Sequence, residues 1–206
     1  MPPTDAPGRV SGTEGYGETA AKLVQPYETV RFEDVHGDVL HLFPTAPCRV
    51  IDIGAGTGRD AVALAALGHA VTAVEPTPEL RDHGKSLHAA SPITWIDDAL
   101  PDLGVVYGLG ATFDLVLLTG VWMHLDLLQR QLAMPRVASL LAPGGVMSMR
   151  LRHGPVPAGR RMFDVSVEET AALAEACGLR TIHRGQRPGL FGVPGVHWSV
   201  VVFRRD

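Results

Sequence analysis

At 206 residues, with 46% apolar side chains, the chain suits one domain built on one sizeable core. Its net charge is −4, and no run of Lys or Arg is long enough to track a phosphate backbone. That argues against a nucleic-acid surface while leaving a nucleotide-like ligand open. The two cysteines, Cys48 and Cys177, are too few for a disulfide framework or a zinc site. No stretch reaches the ~18 apolar residues of a membrane span, and residues 1–12 lack the pattern of a signal peptide. A cytoplasmic setting is therefore expected. Lys22 and Lys85 are the only lysines; the arginines thicken toward the C-terminus and read as a compositional bias.

Residues 1–17, rich in Pro, Gly and Thr, read as a mobile tail. Helical spacing follows over 18–43, where Ala21, Val24, Tyr27 and Val30, then Val35, Val39 and Leu42, suggest two helices ahead of the main fold. A regular alternation then begins. Val50 to Ile53 is a short buried strand, a Gly-rich turn follows, and a helix runs over 59–67 with Gly68 as its C-cap. Val71 to Val74 is a second strand ending at Glu75. Thr77-Pro78 supplies an N-cap and a first-turn proline for a helix to about His88. Ile93 to Ile96 is a third strand, and Phe113 to Leu118 a fourth, almost wholly apolar as a strand covered on both faces must be. A helix over 126–141 carries Pro135 as an expected kink. A fifth strand spans 146–151. Ser166 and Glu169 have capping-box spacing for a helix that Gly178 ends. Strands at 179–183 and 197–203 close the chain. The alternation predicts an α/β doubly wound, three-layer sandwich around a mostly parallel sheet.

The loop between the first strand and its helix, Asp52-Ile53-Gly54-Ala55-Gly56-Thr57-Gly58, is the sharpest motif. Alternate glycines let the backbone turn tightly and let a ligand lie against it with no Cβ in the way. A dinucleotide fingerprint would place its third glycine at position 59, which is Arg59. The nicotinamide reading is disfavoured on that count. Glu75 ends the next strand, where a carboxylate can accept two hydrogen bonds from a vicinal ribose diol.

On these residues the chain resembles the class I (Rossmann-like) S-adenosylmethionine-dependent methyltransferases, the likeness running from about Val50 to Arg152. The resemblance implies a seven-stranded sheet of order 3-2-1-4-5-7-6 with the seventh strand antiparallel. It implies a single domain over 1–206, with the helices of 18–44 as a lid. It also implies S-adenosylmethionine as cofactor, held by Asp52, Gly54, Ala55, Gly56, Glu75, Pro76, Asp98, Ala99 and Thr119. Pro76 would cover an adenine face, and Asp98 (or its neighbour Asp97) would accept from the adenine amine. The Thr119-Gly120 backbone would hold the methionine part. Tyr16 and Tyr27 resemble tyrosines that reach the cofactor carboxylate in relatives, whereas Arg31 and His36 are candidates to face the acceptor.

Methyl transfer mainly requires the acceptor atom to be held about 3 Å from the methyl carbon, with a base where the acceptor is a weak acid. Catalytic candidates therefore lie beyond strands four and five: His124, His153 and Arg152. Trp122 and Trp198 are candidate walls of an acceptor pocket, and the Pro/Gly-rich segments 154–163 and 186–195 are candidate substrate loops. No metal constellation is expected. The sequence thus points to an enzyme acting on a small-molecule acceptor that it does not identify, with the oligomeric state open. Two alternatives stay open: a binding domain for S-adenosylmethionine or S-adenosylhomocysteine without turnover, and an enzyme transferring another group from the same cofactor.

Overall fold

The computed structural model describes residues 10–206. Seven strands form one sheet in the order β3-β2-β1-β4-β5-β7-β6. They are β1 (Arg49–Ile53), β2 (Ala70–Val74), β3 (Ile93–Ile96), β4 (Phe113–Thr119), β5 (Leu141–His153), β6 (Leu179–Pro188) and β7 (His197–Arg205). The first five strands pair in parallel, and β7 inserts antiparallel between β5 and β6. This is the expected order. Seven helices accompany them: α1 (Tyr16–Thr29), α2 (Phe32–His36), α3 (Arg59–Ala66), α4 (Pro78–Leu87), α5 (Gly104–Gly108), α6 (Leu127–Ser139) and α7 (Val167–Ala176).

The central strands are buried on both faces, so their sequences are continuously apolar rather than alternating. Ile51, Ile53, Val116 and Leu118 pack into one cluster with Met134 and Val137 of α6 and Ala171 of α7. Val50, Leu115, Leu117, Val200 and Val202 pack into the other with Leu64 of α3 and Phe32 of α2. Opposite faces of one strand thus serve two cores, as the two-residue period requires.

Several local expectations need correction. Residues 10–17 do not belong to a mobile tail: Val10 and Thr13 close a hydrogen-bonded turn, α1 starts at Tyr16, and Ser11 is bonded to Arg161. Residues 1–9 of the expected tail lie outside the described residues. The short α5 has no helical period long enough to read from sequence; Asp98 creates it by accepting from the Val106 N–H. β6 is longer than expected because it pairs with β7 along its length, and β5 is longer because Leu141 pairs with Phe113 of β4 ahead of an irregularity and Arg152 and His153 pair with β7 beyond it. Ser166 caps α7 through the Glu169 N–H at 3.0 Å, but the Glu169 carboxylate turns to Arg130 instead of closing the capping box.

Candidate active site

The parallel strands β1, β2, β3 and β4 end together along one rim, where order reverses between β1 and β4 and a crevice must open. A cavity of about 400 Å³ occupies that rim. The loop after β1 forms its floor. Gly54 and Gly56 stand at φ +73° and +59°, a region that side-chain-bearing residues rarely adopt. A Cβ at Gly54 would overlap Cγ2 of Val121, so the close approach of the two loops requires glycine there. The Gly54 and Ala55 N–H groups donate to the Val74 carbonyl at 2.8 and 3.0 Å, which ties the turn to the end of β2.

Glu75 completes that tie. Its carboxylate accepts from the Gly56 N–H and the Thr77 N–H, each at 2.8 Å, and it is buried. Burial pushes its pKa above the usual carboxylate range, opposed by those two N–H groups. With the Thr77 hydroxyl also acting on it, the carboxylate keeps part of its acceptor capacity unused. Asp52, beneath the loop, is fully buried, and its Oδ1 finds no partner among the described residues. Burial, with the neighbouring Asp60 charge, drives its pKa well upward. Asp60 itself is held far below the usual range by His36 at 3.0 Å and Arg59 at 2.7 Å.

Of the acidic pair after β3, Asp98 lines the cavity, whereas Asp97 is exposed and ion-paired with Arg81 at 2.8 Å. Asp98 accepts from the Ala99 and Val106 N–H groups at 2.8 and 2.9 Å. Pro76, Ala99 and Thr119 also line the cavity.

The opposite wall is built from α1, the segment after β4 and the loops after β5 and β6. His124 is buried there and engaged at both ring nitrogens. Nδ1 lies 2.7 Å from the Arg161 carbonyl, which can only accept, so Nδ1 carries the proton. Nε2 is then an acceptor and faces the Tyr16 hydroxyl at 3.1 Å. Burial pushes His124 below the ordinary histidine range, so the ring is neutral at pH 7. Burial also pushes the Tyr16 phenol upward, reinforced by Tyr27, while Arg160 lies over the Tyr16 ring at 3.7 Å and opposes the shift.

Comparison with known proteins agrees with this geometry. Residues 50–145, the span from β1 to the turn of β5, match a family model described as a methyltransferase domain. That span is similar to methyltransferase domains over a little under half of the chain. An uncharacterized methyltransferase of Mycobacterium tuberculosis is 36% identical over 111 residues, 52% of this chain and 41% of that protein. The chain thus spans about two fifths of the length of the curated relatives it matches. Among solved structures, the fold is shared with a 1,6-didemethyltoxoflavin-N1-methyltransferase of Burkholderia thailandensis bound to 1,6-didemethyltoxoflavin and S-adenosylhomocysteine. That match has TM-score 0.65 and 23% identity, covering 99% of this chain and 94% of the other. It is shared too with the N-methyltransferase NodS of Bradyrhizobium japonicum in complex with S-adenosylhomocysteine, at TM-score 0.62, 18% identity, and 92% and 86% coverage.

Within this fold, the structure gathers most of the sequence candidates. Asp52, Gly54, Ala55, Gly56, Glu75 and His124 all line one cavity, and Arg152 joins them from β5. His153 does not: it follows Arg152 on a strand and so faces the other way, bonding Ser199 at 2.9 Å and stacking on His197. Trp122 is core, while Trp198 lines the cavity. His36 is locked to Asp60 inside the protein, and Arg31 is exposed beside Glu33, so neither faces an acceptor. Both Pro/Gly-rich loops do reach the cavity, through Pro157, Arg160 and Met162 and through Arg187, Leu190 and Phe191. Arg150 and Arg187 were missed. The C-terminal arginine enrichment was the signal for the second, read as mere composition.

Proposed function

We propose that the chain is a S-adenosylmethionine-dependent methyltransferase acting on a small-molecule acceptor. The observation that carries this reading is the cradle of Gly54 and Gly56 facing the buried Glu75 carboxylate. The residues fit an adenosyl amino acid in three ways. Two side-chain-free positions leave bare main chain for the ligand to rest on. Glu75 keeps acceptor sites for ribose hydroxyls, and Asp98 stands where an adenine amine would be met. The unpartnered Asp52 Oδ1 leaves a buried carboxyl oxygen for a polar group of the ligand to meet.

When bound, S-adenosylmethionine supplies a methyl group activated by its sulfonium. The chain's residues position and deprotonate the acceptor. Leu23 of α1, Val30 just after it and Val35 of α2, with Trp198, wall the cavity with apolar surface and exclude water, residues 18–44 acting as a lid. Tyr16 presents its hydroxyl toward the acceptor with neutral His124 behind it. Because burial disfavours a free phenolate, a proton leaving the acceptor passes to Tyr16 Oη as the Tyr16 proton moves to His124 Nε2. Arg152 stands beside this path, its guanidinium bonded to the Pro155 carbonyl at 2.9 Å. We extend the proposal to a cytoplasmic setting, which the free thiols of Cys48 and Cys177 suit. No helix among the described residues is long and apolar enough to cross a membrane.

The test is incubation of the purified chain with methyl-labelled S-adenosylmethionine and metabolite extract. Label appearing in one small compound is expected. Tight S-adenosylhomocysteine binding with no labelled product from any extract would favour a binding domain, and a product of different mass would favour transfer of another group.

A further inference from the structure

Beyond the cradle, on the β5–β6 side of the cleft, two arginines are under-satisfied. Arg150 is 1% exposed. Its Nη2 pairs with Asp38, but Nε and Nη1 are buried with no partner among the described residues. Arg187, on β6, donates Nη1 to the Asp34 carbonyl and leaves its own Nε buried without a partner. Both side chains line the cavity. A buried, incompletely bonded guanidinium is costly, and two of them close enough to repel are costlier, even with Asp38 and Asp34 nearby. Arg187 registers the strain: burial and the Arg150 charge push its pKa below the usual arginine value. Arg59, the nearest guanidinium on the cradle side, is by contrast neutralised by Asp60.

The unused N–H groups are donors without acceptors, set beside the apolar surfaces of Trp198, Leu190 and Phe191. Planar guanidinium groups suit carboxylate and phosphate oxygens above all other partners. We propose that the acceptor carries an anionic group, a carboxylate or phosphate ester, that Arg150 and Arg187 take up, leaving another atom of the same molecule to be methylated. This deepens the methyltransferase reading and rests on it. The cofactor's own carboxylate is the competing source of such an anion. Strand order sets only Arg187 apart, since β6 is separated from β4 by both β5 and β7 while Arg150 pairs with Thr119 on the neighbouring strand, so the effect of Arg187 substitutions on S-adenosylhomocysteine affinity tells the two sources apart.

Titration calorimetry on the full chain, with and without saturating S-adenosylhomocysteine, decides the matter. The probes are benzoate, phenyl phosphate and, as the neutral control, benzamide. One anion is expected to bind at least tenfold tighter than benzamide. Arg187→Gln is expected to cut that preference at least fivefold, Arg187→Lys to keep part of it, and S-adenosylhomocysteine affinity to stay within twofold in both, which also reports that they fold. Equal binding of anions and benzamide, or a preference that survives Arg187→Gln, overturns the proposal. So does a loss of S-adenosylhomocysteine affinity matching the loss for the anion, which would give the arginines to the cofactor. If the native chain ignores S-adenosylhomocysteine, the methyltransferase reading falls by itself, and the titration without it still decides whether the arginines prefer an anion.

Discussion

The two ends of the cleft are made differently. At the β1–β2 end the walls are main chain: glycines without Cβ atoms, turn N–H groups, and one carboxylate latching the loop to the next strand. At the β5–β6 end they are long side chains, chiefly arginines and aromatics, drawn from strands β5, β6 and β7, from the loops after them and from the helix ahead of the fold. Backbone walls tolerate almost no substitution, whereas side-chain walls can be exchanged one residue at a time. That contrast suits a common cofactor at one end and a particular acceptor at the other.

The largest expected effect is at the backbone end. Gly54→Ala places a Cβ against Val121 at φ +73°. We expect a loss of about 2–4 kcal/mol in stability, from left-handed strain plus overlap, and at least a tenfold loss of S-adenosylhomocysteine affinity. Thermal denaturation and calorimetry check both. Gly56→Ala is the internal comparison, since its nearest neighbour is the Tyr27 ring at an ordinary 3.7 Å. It should cost only about 1 kcal/mol, the left-handed term alone. Equal losses at the two positions would mean that contact with Val121 does not shape the cradle.

Next is Glu75→Ala, expected to weaken S-adenosylhomocysteine by about 1–3 kcal/mol because charge-assisted hydrogen bonds to the ribose are lost. The carboxylate also holds the Gly56 and Thr77 N–H groups, so Glu75→Gln separates the roles. If Gln restores stability without affinity, the latch and the ribose contact are distinct functions. Full affinity in Glu75→Ala would remove the ribose assignment.

The backbone end was legible in the sequence because its parts are local. Gly54, Gly56 and Glu75 belong to consecutive strand ends, and their spacing follows from a strand, a turn, a helix and a strand. The sheet order came from resemblance, and the alternation of strands and helices from the residues. The side-chain end was illegible because it depends on distant pairings: Asp38 meets Arg150 across 112 positions and Asp34 meets Arg187 across 153. No window in the chain contains either pair. His153 misled for a related reason, since adjacency to Arg152 in sequence says which strand it occupies and not which face.

At the side-chain end, His124→Ala should reduce turnover at least tenfold while leaving S-adenosylhomocysteine affinity within twofold, measured once an acceptor is in hand. A group of this kind contributes roughly 10²- to 10⁴-fold when it moves a proton directly, and His124 acts through Tyr16. Tyr16→Phe should reproduce the loss. An active Tyr16→Phe beside an inactive His124→Ala would show that the ring serves only to anchor the Arg161 carbonyl.

The smallest expected effect is a pH dependence of stability. Burial lowers the folded pKa of His124 below its unfolded value of about 6.5. The folded state therefore favours the neutral ring, and that contribution is complete above pH 6.5. On acidification the unfolded chain takes up a proton that the folded chain refuses, so stability falls with pH until the folded value is reached. The slope in that window is at most about 1.4 kcal/mol per pH unit for one site. Protonating Nε2 would also cost the Tyr16 bond, since an imidazolium has no acceptor left to offer the hydroxyl. His36 and His153 shift the same way, whereas the raised carboxyls of Asp52 and Glu75 act in the opposite sense, so the His124 share is read as the difference from a variant. His124→Gln keeps a polar side chain near Tyr16 and cannot titrate. Denaturant melts at pH 7 and 5 should show a smaller drop in this variant than in the native chain. An identical drop would mean that the ring is protonated as readily inside the fold as outside it, so that burial does not hold it neutral.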